Sequence, residues 1–170
     1  PRAPFTTSTL QQEASRKLSF SASRTMRAAQ KLYEGLNIGS EVTGLITYMR
    51  TDSVQLSKDS ITDLRKMITN EYGDSYCPEK LKIYKSKVAN AQEAHEAIRP
   101  TDVKRMPKTV KAYLDDDCYK LYDLIWKRTV SSQMASAIIN KTIIDIESIN
   151  KTDIQNFVTL RANGSVIKFD

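Results

Sequence analysis

Apolar residues recur at helical spacing in four stretches of the chain and give way to strand-like runs near its end. After the hydroxyl run Thr6-Thr7-Ser8-Thr9, the positions Leu10, Ala14 and Leu18 share one helical face. This predicts a first helix with a polar start, Thr9 and Glu13 standing at loose capping-box spacing. Ser21 or Ser23 opens a second helix that gathers Met26, Ala29, Leu32 and Tyr33 on one face. Two short helices joined by a tight polar turn make residues 7–36 a helix-turn-helix candidate. Gly35 to Gly44 reads as a loop, and Leu45-Ile46-Thr47-Tyr48 as an extended, strand-like segment. A third helix is predicted from Ser57 through Ile61, Leu64, Met67 and Ile68 to Tyr72-Gly73. Residues 74–91 look irregular. Gln92 to Ile98 reads as two helical turns, stopped before Pro100 because the residue preceding a proline is pushed out of the helical region. One long helix is then expected after Pro107, carrying Val110, Tyr113, Leu114, Leu121, Leu124, Ile125 and Trp126 toward Met134.

Beyond that helix the texture changes to Thr142-Ile143-Ile144-Asp145-Ile146, Phe157-Val158-Thr159-Leu160 and Val166-Ile167-Lys168-Phe169. Asn163-Gly164 between the last two is a hairpin-turn signal. The fold class expected is therefore mainly α, with residues 1–134 as a domain built on a helix-turn-helix core. Residues 135–170 are expected to be strands that complete a neighbouring domain.

With 170 residues, 40% hydrophobic, 27% charged, and five Gly and five Pro, the chain has the composition of one ordinary globular domain or one domain plus part of another. Its net charge of +6 suits a polyanionic partner. The bias is local: seven Lys and Arg face three Glu over residues 1–50, whereas four basic and four acidic residues balance over 135–170. Cys77 and Cys118 form no CxxC pair, so neither a disulfide framework nor a zinc site is suggested. No apolar run reaches the length of a membrane span and no signal peptide is evident, so no membrane association and a cytoplasmic location are expected. The opening on Pro1-Arg2-Ala3-Pro4 and the stop at Phe169-Asp170 within a strand pattern suggest a fragment of a longer chain.

Two segments concentrate chemistry. Gly44-Leu45-Ile46-Thr47-Tyr48-Met49-Arg50-Thr51-Asp52-Ser53 sets one phenol and one guanidinium two residues apart, which in an extended segment places both on one side. A phenolate that attacks phosphorus, beside an arginine that stabilises the phosphoryl oxygens, is what strand breakage at a phosphodiester requires. A half-buried tyrosine beside a surface ion pair would carry the same residues. The second segment is Gln92-Glu93-Ala94-His95-Glu96-Ala97-Ile98-Arg99-Pro100-Thr101, with the chain's one histidine. Helical spacing would put His95 and Arg99 on one face, suited to a phosphate, or leave them on a solvated charged face. No metal-ligand spacing is present in either segment.

Pro4 through Gln12, Ala29 through Glu34, Gly44 through Ser53 and Gln92 through Thr101 together resemble, in order and spacing, the type IA DNA topoisomerase family of bacteria, over nearly all of residues 4–134. The resemblance implies Tyr48 as the nucleophile that takes the 5′-phosphate of a cleaved strand. It implies Arg50 as the residue that places and neutralises the scissile phosphate. Thr47, Thr51 and Asp52 would line the same pocket, His95 would lie near the active site and contact the DNA backbone with Arg99 assisting, and Gln30 and Glu34 would border the site. It further implies a winged-helix, CAP-like domain carrying the tyrosine, a β-rich arch next to it, and single-stranded or negatively supercoiled DNA as substrate. A monomer in the bacterial nucleoid is expected. The family's acidic fold that binds Mg²⁺ and supplies a proton donor precedes this region, so no metal site is expected here and the chain alone should be inactive. A phenol with an ordinary pKa of about 10 is a poor nucleophile near neutral pH without such help. The alternative is a non-enzymatic helix-turn-helix module that docks residues 7–36 on duplex DNA.

Overall fold

The structure, a computed structural model, describes residues 1–39, 41–85, 95–149 and 157–169. Five α-helices and two antiparallel strand pairs are found among them. The chain divides into two compact units, Pro1–Ala135 and Ser136–Asp170.

In the first unit, α1 (Thr7–Leu18) begins earlier than the Thr9/Glu13 spacing suggested. Thr6 is the N-cap, and a reciprocal capping box with Thr9 satisfies two backbone donors at the helix start. The helix ends at Ser19, whose left-handed φ of 56° turns the chain toward Ser21, the N-cap of α2 (Ala22–Glu34). A two-residue hairpin, β1 (Leu36–Asn37) with β2 (Val42–Thr43), occupies the expected loop. Ser57 caps α3 (Lys58–Tyr72), which stops at Gly73 with φ +97°, a backbone state that favours glycine.

The long helix expected after Pro107 is broken in two. A short α4 (Pro107–Val110) runs into a 3₁₀ turn at Lys111–Tyr113, and α5 (Asp116–Gln133) starts afresh. The cause is Asp115. Its carboxylate accepts from the Cys118 N–H at 2.7 Å, and Asp116 and Asp117 add negative charge to the first turn, where the helix dipole favours it. α5 buries most of its circumference, from Cys118 and Leu121 to Val130 and Gln133, because α1, α2, α3 and α4 all pack on it, and leaves Asp116, Lys120, Lys127 and Ser131 on one exposed face. Tyr122 and Trp126 on α5 donate to the carbonyls of Arg105 and Val103 and so tie the preceding loop to the core.

Residues 95–100 are extended rather than helical, and Gln92, Glu93 and Ala94 lie outside the described residues. Ile98 bridges Phe5 and Pro100 bridges Ile46, both antiparallel. The backbone donors of Ala97 and Ile98 go to the carbonyls of Gln55 and Phe5, so long-range pairing replaces a helix that proline would have ended.

In the second unit, β3 (Ile138–Ile149) pairs with β4 (Phe157–Phe169). Asn163-Gly164 is not a turn: Asn163 and Gly164 sit in β4, opposite Ile143 and Thr142. The continuous ladder from Ile139 to Ile149 runs through both residues and outweighs the local turn propensity.

Candidate active site

The segment that holds Tyr48 is shaped by contacts at both ends. At its start, the Leu45 N–H donates to the Leu32 carbonyl near the end of α2 at 2.7 Å. This close docking requires glycine at position 44, since a Cβ there would stand 2.5 Å from the Tyr33 carbonyl oxygen. Ile46 pairs with Pro100, which lacks an N–H. The flanking bonds, Thr47 N–H to Arg99 carbonyl at 2.9 Å and Thr101 N–H to Leu45 carbonyl at 3.0 Å, carry the pairing instead. At its far end, the Thr7 hydroxyl donates to the Met49 carbonyl at 2.8 Å and accepts from the Thr51 N–H at 2.9 Å.

Between these anchors the chain bends at Thr47, Met49 and Arg50, so the regular strand expected through Tyr48 ends at the Ile46 bridge. The bend buries Met49 and leaves Tyr48 half-buried and Arg50 exposed. Tyr48 packs against the core. Its ring meets Tyr33 edge-on at 5.4 Å between centroids and His95 at 5.3 Å with a 48° tilt. Two aromatic neighbours from different elements fix the plane of a ring far better than one. Among the described residues Arg50 makes no hydrogen bond or ion pair, which leaves its five donors available to an incoming phosphate.

The other predicted residues divide into two sets. His95 touches Tyr48, and Gln30 and Glu34, hydrogen-bonded to each other, lie on the last turns of α2 with Tyr33. Asp52 is exposed two residues beyond Arg50. Thr47 and Thr51 are instead engaged with the backbone: the Thr47 hydroxyl donates to the Ala97 carbonyl at 2.8 Å, and the buried Thr51 hydroxyl accepts from the Ser53 N–H at 3.1 Å. They shape the loop. Arg99 does not share a helical face with His95. Its guanidinium donates to Glu96 Oε2 at 2.5 Å and the Pro100 carbonyl at 2.9 Å, and it lines a cavity of about 370 Å³ with Ser57, Asp63 and Asp102. Burial pushes the Glu96 carboxyl up, but Arg99 and Ser57 outweigh that and hold it below its ordinary value.

Tyr33, expected on the packing face of α2, also contacts Tyr48. The only signal was a tyrosine at the exposed end of an apolar stripe. Among the described residues no group of three or more His, Cys, Asp or Glu side chains is disposed to hold a metal ion. No helix among them is long and apolar enough to cross a membrane.

The chain is similar over its whole length to known DNA topoisomerases. DNA topoisomerase 1 of Rickettsia conorii is 57% identical over 170 residues, all of this chain and 21% of the relative. The protein of the same name from Xylella fastidiosa strain Temecula1 is 54% identical over 168 residues, 98% of this chain and 20% of the relative. The solved structure of full-length topoisomerase I from Thermotoga maritima superposes with a TM-score of 0.77 at 40% identity, over all of this chain and 26% of that one. The chain thus spans about a fifth of the length of the curated relatives it matches. Since the family's profile, described as DNA topoisomerase, matches residues 1 to 170 without remainder, the chain belongs to the DNA topoisomerase family.

Proposed function

We propose that this chain supplies the nucleophile of a type IA DNA topoisomerase, with Tyr48 cleaving one strand of negatively supercoiled, locally unpaired DNA. The observation that carries the reading is the setting of Tyr48. Its ring is held against Tyr33 and His95, and two residues along stands a guanidinium with no partner among the described residues. In the reaction the phenolic oxygen attacks phosphorus and gives up its proton. The bond from phosphorus to the 3′-oxygen breaks, that oxygen takes up a proton, and the 5′-phosphate remains on Tyr48. Arg50 stabilises the charge on the non-bridging oxygens. The reverse attack by the 3′-hydroxyl reseals the strand after another has passed. The phosphodiester energy is kept in the phosphotyrosine, so no ATP is consumed.

The proton donor for the 3′-oxygen and the carboxylates for magnesium are assigned to parts of the polypeptide beyond these residues. The 170-residue chain alone is accordingly expected to bind DNA without cleaving it. On this reading β3 and β4 belong to an adjacent arch, α1 and α2 to a winged-helix-like domain, and the enzyme acts as a monomer in the bacterial nucleoid.

The test uses the full-length polypeptide, end-labelled single-stranded DNA and a denaturing quench. A covalent adduct is expected only with Tyr48 present and only when the label lies on the 3′ side of the break. An adduct that survives Tyr48→Phe, or one joined through the 3′ end, would mean the wrong nucleophile or the wrong chemistry.

A further inference from the structure

We propose that a second anion site, a cleft between the N-terminal arm, α1 and α5, binds a phosphate of the same DNA strand through Arg2, Arg16 and Arg128. The inference rests on the reading of the chain as one that cleaves single-stranded DNA. The cleft is about 480 Å³ and is lined by these three arginines together with Thr9, Gln12, Glu13 and Val54.

Its electrostatics are unbalanced by construction. Glu13 is almost fully buried, and its carboxylate is met by Arg2 at 3.0 Å, Arg16 at 2.8 Å, Lys17 at 3.4 Å and Arg128 at 3.4 Å. Four cations thus share one anion, and three positive charges stay uncompensated among the described residues. Arg128 is itself nearly enclosed, with 13% of its side chain exposed. Its guanidinium lies 4.3 Å above the Phe5 ring and donates to the Ala3 carbonyl. Packing therefore fixes it rather than leaving it to follow solvent. A carboxylate that served only to pin the N-terminal arm would need one cation. Here it collects several, whose mutual repulsion a second anion would relieve. Arg2 and Arg16 each spend a single hydrogen bond on Glu13 and are 71% and 62% exposed, so most of their donors face solvent. Phosphate, with its cluster of acceptor oxygens, can be held by such forks bidentately.

Position adds a second argument. Val54, on the cleft wall, is four residues beyond Arg50, so the Cα atoms of the two are at most about 14 Å apart. Thr7, at the start of the helix that bears Glu13 and Arg16, holds the carbonyl of Met49 and the N–H of Thr51. One rigid connection therefore links the cleft to the Tyr48 loop. A strand bonded at Tyr48 would meet the cleft within a few nucleotides, and the contact would be to backbone, without base preference.

The test is binding of a fluorescent single-stranded oligonucleotide to the full-length polypeptide carrying Tyr48→Phe, measured at several salt concentrations. Arg2→Gln with Arg16→Gln should weaken binding about tenfold at low salt, for oligonucleotides of any sequence. It should also lower the slope of log affinity against log salt by about 0.7, the value for one phosphate on a single strand. Arg2→Lys with Arg16→Lys should keep the slope and lose part of the affinity. If the double glutamine variant is less stable by thermal unfolding, the single Arg16→Gln variant decides, since that side chain is largely exposed. An unchanged slope in a polypeptide that, with Tyr48 restored, still forms its adduct overturns the cleft and leaves the cleavage reading standing. Absence of both DNA binding and adduct in the polypeptide with Arg2 and Arg16 intact overturns the two together.

Discussion

Gly44 and Tyr33 approach so closely that the backbone carbonyl of Tyr33 occupies the space a side chain at position 44 would need. That contact seats the start of the Tyr48 loop on the end of α2, and the same residue, Tyr33, then presents its ring to Tyr48. Because the obstructing atom is backbone, it cannot swing aside. Gly44→Ala should destabilise the domain by about 1–3 kcal/mol, the usual cost of overpacking, and should displace Tyr48 as well. Thermal unfolding and adduct yield measured on one preparation should fall together; a variant as stable and as active as the parent would contradict the packing argument.

Tyr33 also makes a prediction of its own. An edge-on aromatic pair contributes about 0.5–1.5 kcal/mol beyond its buried area. If that energy keeps Tyr48 in line for attack, Tyr33→Ala should slow single-turnover cleavage about three- to tenfold, while Tyr33→Phe, which keeps the ring, stays near the parent rate. Equal rates for the alanine and phenylalanine variants would remove Tyr33 from the site.

For Arg50 the expectation concerns chemistry more than folding, since the side chain is exposed and has no partner among the described residues. Arg50→Ala should cost about 2–4 kcal/mol of transition-state stabilisation, the scale for loss of one charge-stabilising donor. Arg50→Lys should recover part of it, because an ammonium lacks the bidentate fork. Cleavage rates with unfolding midpoints as control check this, and full activity of the alanine variant would sink the role.

Much of this arrangement could be read from residues alone. The caps at Ser21 and Ser57, the stop at Gly73 and the apolar faces of α2 and α3 are local signals, and local physics decides them. What escaped was decided at a distance. Residues 95–98 have helical composition, yet pairing of Ile98 with Phe5, and of Arg99 with the Thr47 hydroxyl beside Tyr48, outweighs it. Asn163-Gly164 has turn chemistry, yet the register of β3 against β4 runs straight through it. Asp115 is a cap hidden inside an apolar periodicity, so two helices looked like one. Arg99 was grouped with His95 by a helical spacing that does not exist, and its partner proved to be Glu96.

Two carboxylates held by cations, Glu13 and Glu96, should make the domain sensitive to acid. Burial pushes Glu13 up, but Lys17, Arg128 and Arg16 outweigh it, and Glu96 is held down in the same way by Arg99 and Ser57. Both therefore titrate, when folded, below the ordinary 4.5 they regain on unfolding. A group with a depressed folded pKa stabilises the native state fully above its unfolded pKa, and that contribution is lost as pH falls through the folded value. Stability owed to these groups should thus be level from neutral pH down to about 5 and decline below that, because the unfolded chain then binds protons the folded one refuses. Glu13→Gln with Glu96→Gln removes both titrations. The variant should be less stable than the parent at about pH 7, with the gap in unfolding midpoint closing as pH is lowered toward about 3. A gap that stays constant with pH would show that the two carboxylates matter for shape and packing rather than for charge.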